Sequence, residues 1–392
     1  MSIVRETCPA PACNLVLRDV EALLEQLAAY HAHFAPVFAR TKHAYWAQQY
    51  LRGLLSTCER KSVEPMALYL DLPIRPMQHF IGQSPWSTTP IIAHQQHLVG
   101  QTLGEEDGVF LVDECGVVKQ GDESVGVAPQ YCGAVGKGAN SQIGVFLGYA
   151  SRKGYTLLDG QLFVPTAWFA EDHADKRVAT GMPASLTAKS KPKIALGLVQ
   201  QAVARRSLPT RWLVADALYG NSRAFRDGVA VLGLWYFTAV SSDTLVWRRN
   251  PAVVVPPYRG IGGKPTRFQL KTATHQPYHV DALLRRLPKV AWMRATIKDG
   301  SQVPLVADVA VVRVTEARKG LPGPRLWLVI RRSLSDPTEV RYYLSNAPEE
   351  LPSAAHRIAN VRLVLLDDCG HYPMLDQPAA YLVALTTFLA ES

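Results

Sequence analysis

Along this chain the spacing of apolar side chains is helical at first and strand-like later. Between Val20 and Leu55 apolar positions recur at helical spacing, as at Val20, Leu23, Leu24 and Leu27, and Pro36 predicts a break between two helices. More helix is predicted over 63–70 and 89–103, with Gln83, Ser84 and Pro85 marking a turn between them. From about residue 107 the pattern predicts strands at 108–113 and 142–150 and a run ending in Leu162-Phe163-Val164. Arg152-Lys153-Gly154 and Asp159-Gly160 read as turns between consecutive antiparallel strands. Pro192 opens a helix through Ile194, Leu196, Val199 and Val203, and a strand at 211–216, a helix near 222–232 and a strand at 235–240 follow. Residues 244–345 are rich in Val, Arg and Pro, with strand-like runs at 303–314 and 325–332. The expected organisation is a helical, partly basic region over 1–104, an α/β core over 105–243, a β-rich stretch over 244–345 and a tail over 346–392.

Two of the apolar runs end on an aspartate: Val109-Phe110-Leu111-Val112-Asp113 and Trp212-Leu213-Val214-Ala215-Asp216. A lone aspartate after such a run commonly caps a strand end or enters a turn. The neighbouring words argue for more. After Asp113 come Glu114-Cys115-Gly116, Lys119, the run from Ser124 to Gly133, and Gly136-Lys137; after Asp216 comes Ala217-Leu218-Tyr219-Gly220. Over roughly 55–345 these words resemble the catalytic core of the DDE-type insertion-sequence transposases, with Glu114-Cys115 standing where that family usually has Asp-Thr.

The resemblance implies an α/β fold, a ribonuclease-H-like mixed sheet with an N-terminal helical DNA-binding domain and a β-rich insertion. It implies that Asp113 and Asp216 sit on neighbouring strands as catalytic metal ligands for Mg2+ or Mn2+. Cutting and joining phosphodiesters requires an activated water or hydroxyl and a stabilised leaving oxygen, which two divalent ions about 4 Å apart provide. Magnesium takes oxygen ligands and keeps several waters, so a few carboxylates suffice. The family also implies an oligomer on DNA that pairs two element ends.

Charge agrees with such a partner. The net charge of +9 raises the expectation of a polyanion. Lys119, Lys137, Lys189, Lys191 and Lys193 lie in or beside the core words, as DNA phosphate contacts or as a solvated basic face. Arg259, Lys264 and Arg267 stand in a Gly-rich loop that is either a backbone contact to DNA or a flexible turn of the insertion. That loop lacks the four-residue spacer of a phosphate-binding Walker motif. The six cysteines are scattered, which fits a reducing compartment, and Cys8 and Cys13 lack the second pair that a zinc site needs. His94 and His97 share a helical face with no nearby carboxylate and read as structural. No apolar run reaches the length of about 18 residues that spans a membrane. The expected location is cytoplasmic, with the nucleoid.

The family's third carboxylate is expected on a helix after a phrase like Tyr343-Leu344-Ser345-Asn346-Ala347-Pro348, and its pattern is missing here. Glu316, Glu339, Glu349 and Glu350 lie nearby without that pattern, so the third carboxylate is unassigned. From about residue 361 the tail instead resembles the end of an α/β-hydrolase, with His371 as counterpart of its catalytic histidine. No nucleophile elbow accompanies it, so a hydrolase is not expected.

Overall fold

The computed structural model describes residues 17–258, 260, 264–298 and 305–348. They belong to two compact units, one ending at Thr102 and one beginning at Leu103. The first is helical: α1 (Leu17–Phe34), α2 (Thr41–Leu55), α3 (Val63–Tyr69), α4 (Ile74–Gly82) and α5 (Thr89–Thr102). Pro36 lies in the short 3-10 turn Ala35–Val37 that separates α1 from α2. Trp46, Ala67, Met77 and Phe80 form the core of this unit. The Trp86 ring stacks on Phe80 at 5.2 Å and donates its indole N–H to the Phe80 carbonyl at 2.8 Å. His94 packs edge-on against Phe34, a structural place for that imidazole.

The second unit begins with β1 (Val109–Val118), β2 (Ala128–Cys132), β3 (Lys137–Ser151) and β4 (Gly154–Phe163). It continues through α6 (Ala174–Ala179), α7 (Lys191–Arg205), β5 (Trp212–Ala215), the single turn α8 (Ala217–Gly220), α9 (Arg223–Val231) and β6 (Trp235–Val240). β1 pairs antiparallel with β3 and parallel with β5, and β5 pairs parallel with β6. The resulting order, β4-β3-β1-β5-β6, is an antiparallel meander joined to a parallel pair, with α7 against β3 and β4 and α9 against β6. This is the ribonuclease-H-like mixed α/β sheet. Alternation along β1 directs Phe110, Val112 and Glu114 to one face and Leu111, Asp113 and Cys115 to the other.

Residues beyond β6 supply β7 (Leu245–Trp247), β8 (Val253–Val254), β9 (Gln269–Leu270), β10 (Tyr278–His279), α10 (Val280–Leu284), β11 (Trp292–Lys298), β12 (Leu305–Arg318), β13 (Leu321–Ser333) and β14 (Val340–Ser345). This stretch is β-rich, and it prolongs the core sheet. β14 pairs antiparallel with β6, then β13, β12, β7 and β10 follow outward. Covering the β6 edge this way removes a row of unpaired backbone groups. Phe237 on β6 and Tyr343 on β14 stack at 4.7 Å within an apolar cluster that includes Val214, Val309 and Val329.

Asp159 and Gly160 lie inside β4, where a turn was expected. The β3 register jumps from Leu147 opposite Asp159 to Gly148 opposite Leu157, which leaves Leu158 as the extra residue of a bulge. A Cβ on Gly160 or on Gly144 would stand 2.6 Å from the Phe146 ring, so both glycines make room for that ring.

A buried ionic cluster fastens the core to the prolonged sheet. Arg226 of α9 is 2% exposed and donates to the Gly220 carbonyl and to Glu316 of β12, which is 1% exposed. The other Glu316 oxygen accepts from Arg318 Nε at 2.8 Å, and Arg318 also binds Asp227. Arg223 lies 3.5 Å from Glu316 and donates to the Ala317 carbonyl at 2.9 Å. Removing one member strands a buried charge, so Glu316→Ala is expected to cost about 3–5 kcal/mol, measured by urea unfolding. Gly220 sits against β6 so closely that a Cβ would fall 1.8 Å from the Ala239 carbonyl oxygen. Gly220→Ala therefore forces the backbone apart, with an expected loss of about 1–3 kcal/mol in the same assay.

Candidate metal centre

Val112 of β1 pairs with Ala215 of β5, and the next residue on each strand is an aspartate. In parallel strands only about 4.8 Å apart, that register sets Asp113 and Asp216 side by side. The two differ in their local setting. Asp113 lies within β1, opposite Phe146 of β3, and one of its oxygens accepts the Glu114 N–H at 2.7 Å. Asp216 follows the end of β5 and caps α8, accepting from the Leu218 N–H at 2.9 Å and the Tyr219 N–H. That cap fixes the carboxylate where β5 stops.

Burial and then the charge of Asp113 push the Asp216 carboxyl up to about 6, against the pull of its two amide donors, with Glu114 adding to the rise. Two carboxylates this close repel one another when both are ionised, a repulsion that a cation relieves. Their donors are hard oxygens, the type that magnesium and manganese select. On donor chemistry the pair fits a divalent ion.

The surroundings modify that picture. Glu114 points to the helix-covered face, where one oxygen takes the Lys191 ammonium at 2.9 Å and the other is buried without a partner. Lys191 opens α7 and also lies over the Phe163 ring at 5.3 Å. The Tyr219 hydroxyl is buried without a partner, and burial followed by the charges of Glu114, Asp113 and Asp216 raises its pKa. The sequence reading passed over both Tyr219 and the Glu114–Lys191 pair. A tyrosine inside the second aspartate word was the only local signal, because the Lys191 partner lies 77 residues away.

Of the other residues singled out from sequence, Lys189 and Lys193 are exposed on either side of Lys191, the partner of Glu114. Lys119 is half-buried, with its backbone bonded to Asn140, and it lies six positions past Asp113, roughly 20 Å along an extended strand. Lys137 is exposed at the start of β3, and Lys264 and Arg267 are exposed. Arg259, Glu349, Glu350 and His371 lie outside the described residues. Glu316 has both oxygens occupied by arginines, and Glu339 is paired with Arg331 and Arg341. Among the described residues no group of three or more His, Cys, Asp or Glu side chains stands ready to hold a metal.

Comparison with known proteins agrees with the arrangement. Among solved structures the chain is similar to the NurA nuclease from Sulfolobus solfataricus, at 11% identity and a TM-score of 0.27 over 76% of this chain and 86% of that one. At that distance the likeness bears on neither fold nor function. A comparison with curated proteins found no match. The sequence model of the DDE superfamily endonucleases matches residues 33–304, more than half of the chain and including both aspartates, and the protein belongs to that family.

Proposed function

We propose that this protein is an insertion-sequence transposase that cuts DNA at the ends of its element and joins the freed 3′ hydroxyl to target DNA. The observation that carries the reading is the pair Asp113 and Asp216, brought together by the β1–β5 register, with the charge of Asp113 pushing the Asp216 carboxyl up. These two residues hold Mg2+ or Mn2+. A bound divalent ion supplies activation of the attacking water or hydroxyl and stabilisation of the leaving oxygen.

The chain's own groups do the rest. The α8 cap holds Asp216 in one orientation, and the ion pair with Lys191 holds Glu114 on the helix-covered face. Lys189 and Lys193 bind phosphates next to the cut, Lys119 and Lys137 bind them farther along the sheet, and Lys264 and Arg267 add contacts from the insertion. Pairing of two element ends makes the working form an oligomer on DNA, in the cytoplasm with the nucleoid.

One observation favours a second reading, a catalytically inactive DNA-binding remnant that occupies element ends. No third carboxylate joins the aspartate pair among the described residues.

Nicking of supercoiled plasmid in manganese by wild type and by Asp113→Ala separates the two. The transposase reading expects nicking that disappears in the variant. Equal background nicking in both, with DNA binding retained, identifies the remnant. Metal binding itself reads out without activity: manganese at about 100 times its Kd is expected to stabilise the wild type by about 2.7 kcal/mol. A thermal melt checks this, and the Asp113→Ala melt is expected not to respond.

A further inference from the structure

A second basic site lies in the prolonged sheet, away from the aspartates. A cleft of about 340 Å3 is lined by Arg248, Arg249 and Arg313, with Leu283, Leu287 and Pro288 on its apolar side, and no carboxylate lines it among the described residues. Arg248 and Arg249 are exposed just past the end of β7, and neither has an ion-pair partner among the described residues. Arg313 is held in place: its guanidinium lies 4.8 Å over the Trp327 ring, and it reaches the Ala347 carbonyl at 3.5 Å.

Two buried indole donors lie on the strands next to these arginines. Trp327 faces Arg313 across the β12–β13 pairing, and Trp247 precedes Arg248 and faces Thr315. The indole N–H of each is buried, with no acceptor among the described residues. Buried donors are normally satisfied, the Arg313 guanidinium lies over the Trp327 ring, and three guanidiniums lining one cleft make an anion the matching occupant. Guanidinium forks suit phosphate oxygens in particular.

Register relates the cleft to the aspartates. Arg313, Trp327, Ser345, Phe237, Val214 and Leu111 form one row across the sheet, each paired with the next, and so share one face. Asp113 lies on that face too, two residues after Leu111. Five strand steps of about 4.8 Å separate the ends of the row by roughly 24 Å. At about 3.4 Å per base pair, that is the length of roughly seven base pairs.

We infer that the Arg248–Arg249–Arg313 cleft grips a backbone phosphate of duplex DNA about seven base pairs from the cut. The inference rests on the DNA-cutting reading above and extends it to residues outside the catalytic core.

The test measures binding of the full chain to a fluorescent 30-base-pair duplex by anisotropy across a salt series, with wild type beside Arg248→Gln/Arg249→Gln. Both side chains are exposed, and the thermal melt is expected to be unchanged. Each lost phosphate contact lowers the slope of log K against log salt by about 0.9, so the double variant is expected to lower it by about one unit. An Arg313→Gln variant is expected to weaken binding further, and Arg313→Lys to restore part of it.

An unchanged slope in the double variant, with the wild type binding well, overturns the cleft and leaves the function reading intact. Wild type that binds no DNA overturns both. If inorganic phosphate binds the wild type and not the variant while the DNA slope stays unchanged, the cleft is a small-anion site and the inference fails.

Discussion

The parallel pairing of β1 with β5 is the constraint from which the rest follows. Two parallel neighbours cannot be joined by a tight turn, so the chain must leave the sheet and return. Here it does so through the β2–β4 meander and α7, and each piece of that detour lands beside the pair. β3 places Phe146 opposite Asp113, and α7 begins with Lys191, which neutralises Glu114. Because Val112 is registered with Ala215 and an aspartate follows each, two like charges come together. The close fit of α8 on β6, which only a glycine at position 220 allows, turns the Asp216 carboxylate into a helix cap.

A concentration of negative charge at the sheet centre opposes folding, and the molecule offsets it locally only in part. Glu114 has a lysine, and Asp216 accepts from two backbone amides. Elsewhere in the unit buried charge is treated differently. Glu316 is surrounded by three arginines, so a carboxylate that sequence position alone left available for the metal is committed to holding β12 against α9. A carboxylate caged by arginines has little to give a cation, and one that a neighbouring carboxylate pushes up has more. The contrast separates structural from candidate chemical acids more sharply than burial does.

Much of this fold was legible in sequence because its strands carry their own period. The run at 235–240 matches β6, and the aspartate words fall at the sheet positions that their apolar lead-ins imply. The failures share a cause, which is that long-range packing decided the local structure. α4 follows Pro73 and was not predicted, and its apolar positions pack with Trp46 and Trp86. Asp159-Gly160 has turn composition, yet Gly160 is there for the Phe146 ring and the chain runs through as a bulged strand. Likewise the pairing of Glu114 with Lys191 and the arginine cage of Glu316 join residues 77 and 90 positions apart, and no local window contains both partners.

The way the insertion joins the core carries the last step. Residues that sequence suggested as a separate β-rich stretch continue the catalytic sheet through β14 on β6. Asn346, directly after β14, accepts the Tyr236 N–H at 2.7 Å and donates to the Leu234 carbonyl at 3.1 Å. The phrase from Tyr343 to Pro348 thus closes the sheet onto the core just before the point where a third carboxylate is expected. With Arg226 and Glu316 locking the other side, a strand bearing Arg313 and a strand bearing Asp113 belong to one continuous hydrogen-bonded surface. Strand spacing and register then fix the distance between them, with no flexible linker to vary it. Such a surface can measure a length of duplex, which two domains joined by a loose connection cannot do.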